Sequence, residues 1–247
     1  MATIGIPMDF QTNFQFLLRW IHLLSGIAWI GMLYWFNLVN VNFQKGLDAD
    51  TRKKINPDLL SRTLWWFRWG AVVTVLSGFI FYAVIMMTEP GSHKDLAKWL
   101  VLVAVSYAVI YGLLLPAGKP GAPVGQGLNN GKILAAAVTV VVLLMSWGVL
   151  GMTTHNTSSR ALSIGVGGGM GIIMFLNVWL IIWPNQKRII AGMTGGPAAP
   201  PELARQALLA SRTNAWLSIP MLFFMGAASH YALFSWPVAA VTLPPVP

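Results

Sequence analysis

Long apolar stretches, broken by short polar and basic ones, run almost the whole length of the chain. A bilayer core needs about 20 mostly apolar residues per helix. Six segments meet that requirement: residues 14–40, 64–87, 97–115, 132–152, 162–183 and 214–236. Their length and mostly apolar composition predict membrane-spanning helices. The expected fold is all-α, a polytopic integral membrane helical bundle of about six transmembrane helices in a single membrane domain. Pro220 falls in the first turns of the last segment, where a missing N–H has no intrahelical partner, and Pro237 ends it.

The basic residues orient the bundle. Lys45, Arg52, Lys53, Lys54, Arg62, Arg68, Lys119, Lys132, Lys187, Arg188, Arg205 and Arg212 fall on one side, and only Arg19, Lys94, Lys98 and Arg160 on the other. The positive-inside rule then puts both termini outside. Two of the basic stretches echo each other. Gln44-Lys45 and Leu59-Leu60-Ser61-Arg62-Thr63 precede the second helix. Gln186-Lys187 and Leu208-Leu209-Ala210-Ser211-Arg212-Thr213 precede the sixth. The echo suggests that helix pair 1–2 repeats as pair 5–6, although short basic loops also resemble one another by chance. The Gly, Pro and Ala run at 192–201 reads as a flexible loop within one domain.

Composition strengthens this picture. Of 247 residues 56% are hydrophobic and 9% charged, against about 25% charged in soluble domains. The net charge of +9 sits beside apolar spans rather than in a recognition stripe, so nucleic-acid binding is not expected. Twelve Trp suit a chain with two water–lipid boundaries. Trp65, Trp66 and Trp69 with Arg68 read as an anchor at the basic interface. There is no cysteine, which excludes disulfides, thiolate-bound iron–sulfur clusters and c-type haem attachment. The N-terminus has no basic n-region and no small-residue cleavage site, so no cleaved signal peptide is expected.

Ionisable groups within a membrane are costly and usually functional. All seven acids (Asp9, Asp48, Asp50, Asp58, Glu89, Asp95 and Glu202) fall outside the predicted spans, which counts against a proton- or sodium-coupled transporter. The exceptions to an uncharged interior are His22 and His230. His22 lies ~12 Å below the start of its span and His230 ~9 Å below the end of its own, so the two share a depth near the outer face. His155 sits just beyond the fourth span, also on the outer side, and His93 reads as a solvated loop residue.

Each of three histidines has a glycine four positions away, on the same helix face: Gly26 for His22, Gly226 for His230 and Gly151 for His155. A flat macrocycle needs such clearance beside an axial ligand. Imidazole is a common haem-iron ligand, and two facing histidines make a six-coordinate iron. Arg19, one turn from His22, is placed to meet a haem propionate. The residues leave other redox or substrate roles open, and also plain helix-to-helix hydrogen bonding. Asn37 and Asn177 read as interhelical hydrogen-bonding groups.

Several strings are distinctive: Trp20-Ile21-His22 with Gly26-Ile27-Ala28-Trp29-Ile30-Gly31 and Tyr34-Trp35-Phe36-Asn37; Leu64-Trp65-Trp66-Phe67-Arg68-Trp69-Gly70; Asn177-Val178-Trp179-Leu180-Ile181-Ile182-Trp183-Pro184-Asn185-Gln186-Lys187; Thr154-His155-Asn156; and Met225-Gly226-Ala227-Ala228-Ser229-His230-Tyr231. Together, from about residue 14 to 236, the chain resembles the membrane domain of the bacterial membrane-bound urate oxidase (urate hydroxylase) family. The resemblance implies urate oxidation feeding a respiratory chain, with His22, His155 and His230 as the residues that carry over. It also implies a following cytochrome c domain, which is not expected here because no C-x-x-C-H occurs before Pro247.

The expected function is therefore a redox subunit in the bacterial inner (cytoplasmic) membrane. It would bind haem b between His22 and His230 near the periplasmic face and pass electrons between a periplasmic cytochrome c or dehydrogenase subunit and the respiratory chain. Quinone is a further candidate cofactor, and membership of a larger complex is expected. The alternatives are a urate-oxidase-like membrane enzyme, set against the absence of a buried carboxylate or nucleophile motif, and a cofactor-free anchor or assembly subunit.

Overall fold

The computed structural model describes residues 5–89, 93–117, 119, 127–153 and 157–235. Among them are six long helices and no strands: α1 (Phe10–Lys45), α2 (Ala49–Thr88), α3 (His93–Leu114), α4 (Gly131–Met152), α5 (Ser159–Met193) and α6 (Pro201–His230). α1 to α5 are long and apolar enough to cross a membrane. α6 falls short by composition because it carries polar residues, several of which turn inward. Thr213, Asn214 and Ser218 are buried, whereas Trp216, Ile219, Leu222 and Phe223 are exposed. α6 therefore keeps buried polar groups on its packed side and large apolar side chains on its outer one.

The helices begin where side chains satisfy their first N–H groups. Asp9 accepts from Thr12 N at 2.7 Å, Asp48 from Thr51 N at 2.9 Å, Asn130 from Lys132 N at 3.0 Å and Ser158 from Ala161 N at 3.1 Å. The Thr51 hydroxyl and amide together hold the Asp48 carboxyl below its ordinary range. A lowered carboxylate pKa stabilises the folded form above the ordinary value, and the contribution is lost as pH falls through the lowered one. Acid is thus expected to fray the first turn of α2 before the rest of the helix, read as a lower protection of the Thr51 amide relative to an unstructured peptide at the same pH. An unchanged Thr51 protection factor on acidification would exclude this.

Three boundaries differ from the sequence expectation. The basic stretch between the first two spans is helical except for a short turn, because α1 continues to Lys45 and α2 starts at Ala49. The charged residues there lie on helical extensions. α6 begins at Pro201, so Pro220 stands in mid-helix rather than in the first turns. It leaves the carbonyl of Trp216 without its usual intrahelical donor. α6 also ends at His230, with 231–235 irregular, so His230 occupies the last turn. Trp236 and Pro237 lie outside the described residues.

α5 is the central helix. Of its apolar window 61% is buried, against 22–39% for the other four. Glycine makes this possible by letting neighbours approach the helix backbone. A Cβ at Gly167 would stand 3.0 Å from Phe224 Cβ, and one at Gly165 2.9 Å from the Tyr82 hydroxyl. Trp99 donates from its indole to the Gly165 carbonyl at 2.8 Å, tying α3 to α5.

The most extensive helix pairings are α1 with α2 and α5 with α6. Both hairpins are closed at their basic ends by amides. Gln44 and Asn56 exchange two bonds, at 2.8 and 3.0 Å, and Asn185 donates to Gln206 at 3.3 Å. Asn56 and Gln206 are separated by the same interval as Ser61-Arg62-Thr63 and Ser211-Arg212-Thr213. Both hairpins also widen from α to π geometry in the first helix, at Trp35–Asn40 and at Val178–Ile182. These parallels favour the repeat that the sequence echo suggested.

Candidate functional site at the terminal end of the bundle

The start of α1 and the end of α6 lie at one end of the bundle, opposite the basic end. Near this terminal end a polar seam runs between α1 and α2. His22 is half-buried and its Nδ1 donates to the Thr74 carbonyl at 2.8 Å. Ser77 donates to the same carbonyl at 3.1 Å, and the Thr74 hydroxyl donates to Ser25 Oγ at 3.0 Å. Since a carbonyl can only accept, Nδ1 carries the proton and Nε2 is left with a free lone pair.

The clearance for this ring comes from α2. A Cβ at Gly78 would lie 2.6 Å from His22 Cε1 and 2.7 Å from Nδ1, so the imidazole fits there only because the residue is glycine. At Gly26 a Cβ would meet Thr74 Cγ2 at an ordinary 3.7 Å, and at Gly226 or Gly151 it would meet nothing within 4 Å. Gly78 is a site residue that the within-helix spacing rule misses, because the hollow lies across the helix interface.

One turn further toward the terminal end, two guanidiniums converge on one ring. Arg19 Cζ lies 5.7 Å and Arg160 Cζ 5.1 Å from the centroid of Phe81. Neither has a carboxylate ion-pair partner among the described residues, and the buried Nε of Arg160 has no hydrogen-bond partner. The nearby Glu89 is committed to Ser158, accepting from its amide at 3.1 Å and from its hydroxyl at 2.5 Å. The sequence points to Arg19 here, whereas Arg160 reads in it only as a charge that sets orientation.

The other candidates are less enclosed. α1 and α6 touch where the hydroxyls of Tyr34 and Ser218 meet at 2.9 Å and where Asn37 donates to Ser211 at 2.8 Å. Twelve residues from the Tyr34–Ser218 contact, ~18 Å along each helix, lie His22 on one side and His230 on the other. His22, however, is turned to α2, and His230 is exposed in the last turn of α6. The structure therefore seats one imidazole in a built environment and leaves the other on the rim. His155, Thr154 and Asn156 lie outside the described residues, as does the side chain of His93. Among the described residues no three His, Cys, Asp or Glu side chains gather.

Two further findings bear on the expected chemistry. Asp95 is buried, at 2% exposure, despite lying outside the apolar run, and is held by Lys98 at 2.9 Å. At the basic end Arg68 stacks on Trp183, 3.8 Å from the ring centroid, and Trp69 meets Trp179 edge-on at 5.8 Å. That cluster is a cation–π anchor joining α2 to α5.

A many-helixed bundle with lipid-facing apolar surfaces and an inward polar seam defines the class: a multi-pass membrane protein. The chain matches the urate oxidase N-terminal family over residues 46–243 and belongs to it. No curated protein and no solved structure matches.

Proposed function

We propose that this chain is a membrane-embedded redox subunit that binds a b-type haem through His22 near the periplasmic face. In this reading all six helices cross a bacterial inner membrane, both termini are outside, and a periplasmic cytochrome c or dehydrogenase subunit exchanges electrons with the chain, with quinone as a further candidate. The observation that carries it is the His22–Thr74 bond. Metal-binding histidines characteristically donate their other ring N–H to a carbonyl or carboxylate, which fixes the ring and leaves the second nitrogen for the metal. His22 has that arrangement, and Gly78 provides its seat.

The remaining residues fit the same group. Arg19 and Arg160 supply cationic forks for propionates. His230, level with His22 on α6, is the candidate for a second axial position, and His155 a further candidate. Haem would supply one-electron chemistry, and the protein would set ligation, burial and orientation.

The test is a reduced-minus-oxidised visible spectrum and a pyridine haemochrome assay on detergent-purified protein from haem-replete cells. A haem b band absent in His22→Ala is expected, with a change of spin state in His230→Ala. A colourless wild-type protein overturns the reading. The family match favours a second reading, an enzyme acting on urate or a similar heterocycle. Urate binding to the purified chain, with turnover on added cytochrome c, would support it.

A further inference from the structure

α4 and α6 part along their length and leave a cleft of about 730 Å³. Its walls are apolar, formed by Val138, Val142 and Leu143 of α4 and by Trp216, Pro220 and Phe224 of α6. At the basic end the walls carry Lys132 and Arg212. Neither cation has an ion-pair partner among the described residues.

We infer that this cleft is a binding site for one anionic phospholipid, its acyl chain lying along the apolar walls and its phosphate held between Lys132 and Arg212. Charge decides the occupant. A guanidinium and an ammonium at the mouth of an apolar cleft match a phosphate, which arginine can bind with two parallel hydrogen bonds. Basic pockets between helices at the cytoplasmic surface recognise anionic head groups in this way. Lys132 also lies in the first turn of α4, where the helix dipole favours an anion. A neutral quinone would leave both charges uncompensated. A second copy of this chain would bring its own basic end against this one, with like charges opposed. Trp216, exposed beside the cleft, suits the head-group boundary.

The site is independent of the haem reading. The whole chain, purified in mild detergent and delipidated, would be titrated with phosphatidylglycerol or phosphatidylcholine of identical acyl chains and examined by native mass spectrometry. One phosphatidylglycerol is expected to remain bound under conditions that strip phosphatidylcholine. Lys132→Gln with Arg212→Gln, both surface side chains, is expected to lower phosphatidylglycerol retention by about tenfold or more. Arg212→Lys alone is expected to recover part of it. Equal retention of the two lipids, a quinone as the extracted occupant, or a dimer that buries α4 and α6 would each overturn the proposal.

Discussion

Gly78→Ala is expected to dislodge the His22 ring, lower the stability of the α1–α2 hairpin and remove any haem signal, with every ligand candidate left in place. The added Cβ would stand 2.6 Å from Cε1 and 2.7 Å from Nδ1, closer than atoms tolerate. The ring cannot yield cheaply, because turning away breaks its 2.8 Å bond to the Thr74 carbonyl. Two effects compete. Alanine gains about 1 kcal/mol over glycine in a helix interior, whereas overpacking costs about 1–3 kcal/mol and the lost hydrogen bond about 1 kcal/mol more. The penalty should win by about 1–3 kcal/mol, seen as a lower thermal midpoint in detergent. Gly26→Ala, whose Cβ meets only Thr74 Cγ2 at 3.7 Å, is the control: it gains the helix propensity without the clash, so it should keep the wild-type spectrum with a thermal midpoint at or above that of wild type. A Gly78→Ala protein with unchanged midpoint and spectrum would show that the ring is not confined as described.

The second large effect is expected at Asn214. Asn177 and Asn214 are both 0% exposed at the centre of the α5–α6 pair. Asn177 donates to Asn214 Oδ1 at 2.8 Å, and Asn214 donates to the Met174 carbonyl at 2.9 Å. Met174 lies just before the π turn of α5, and its carbonyl also receives the Val178 N–H. Asn214→Leu removes both bonds and orphans the Asn177 amide in an apolar interior. Interhelical hydrogen bonds in membranes average about 0.6 kcal/mol, but a buried group left without a partner costs about 1–3 kcal/mol. The sum should be about 2–4 kcal/mol, measured as loss of thermal stability in detergent. The double change Asn177→Leu with Asn214→Leu should be milder than Asn214→Leu alone, since no amide is then left unpaired. If the double variant is the worse of the two, shape rather than hydrogen bonding holds this contact.

The helices were legible wherever lipid contact dictates composition, since an apolar run of about 20 residues would be costly to expose to water. Their extensions at the basic end were not. Residues 41–63 carry charges that hydropathy assigns to loops, although Asp48 caps a helix there and Gln44 pairs with Asn56. His22 stood out as an imidazole in an apolar run, but its partner is the backbone of Thr74, and no side-chain pattern announces a carbonyl. Gly78 and Arg160 act across interfaces and needed the packing to be seen. The exposure of His230 comes from the packing. The buried face of α6 passes through Leu203, Ala207, Ala210, Asn214, Leu217 and Met221 and ends at Ala227, and Ser229 and His230 beyond it are exposed. The two π turns had no sequence signature that periodicity could detect.

Those wide turns set how the far end of each hairpin faces. A π turn holds an extra residue compared with the α turn it replaces, so the helix beyond it is advanced by roughly 100° about its axis. In α1 the shift falls just before Gln44, and in α5 just before Asn185. It therefore governs whether those two amides look toward the returning helix or out into lipid. The clasp at the mouth of each hairpin is thus written partly in backbone winding, and two sequences with identical amides but regular α turns would present them to different neighbours.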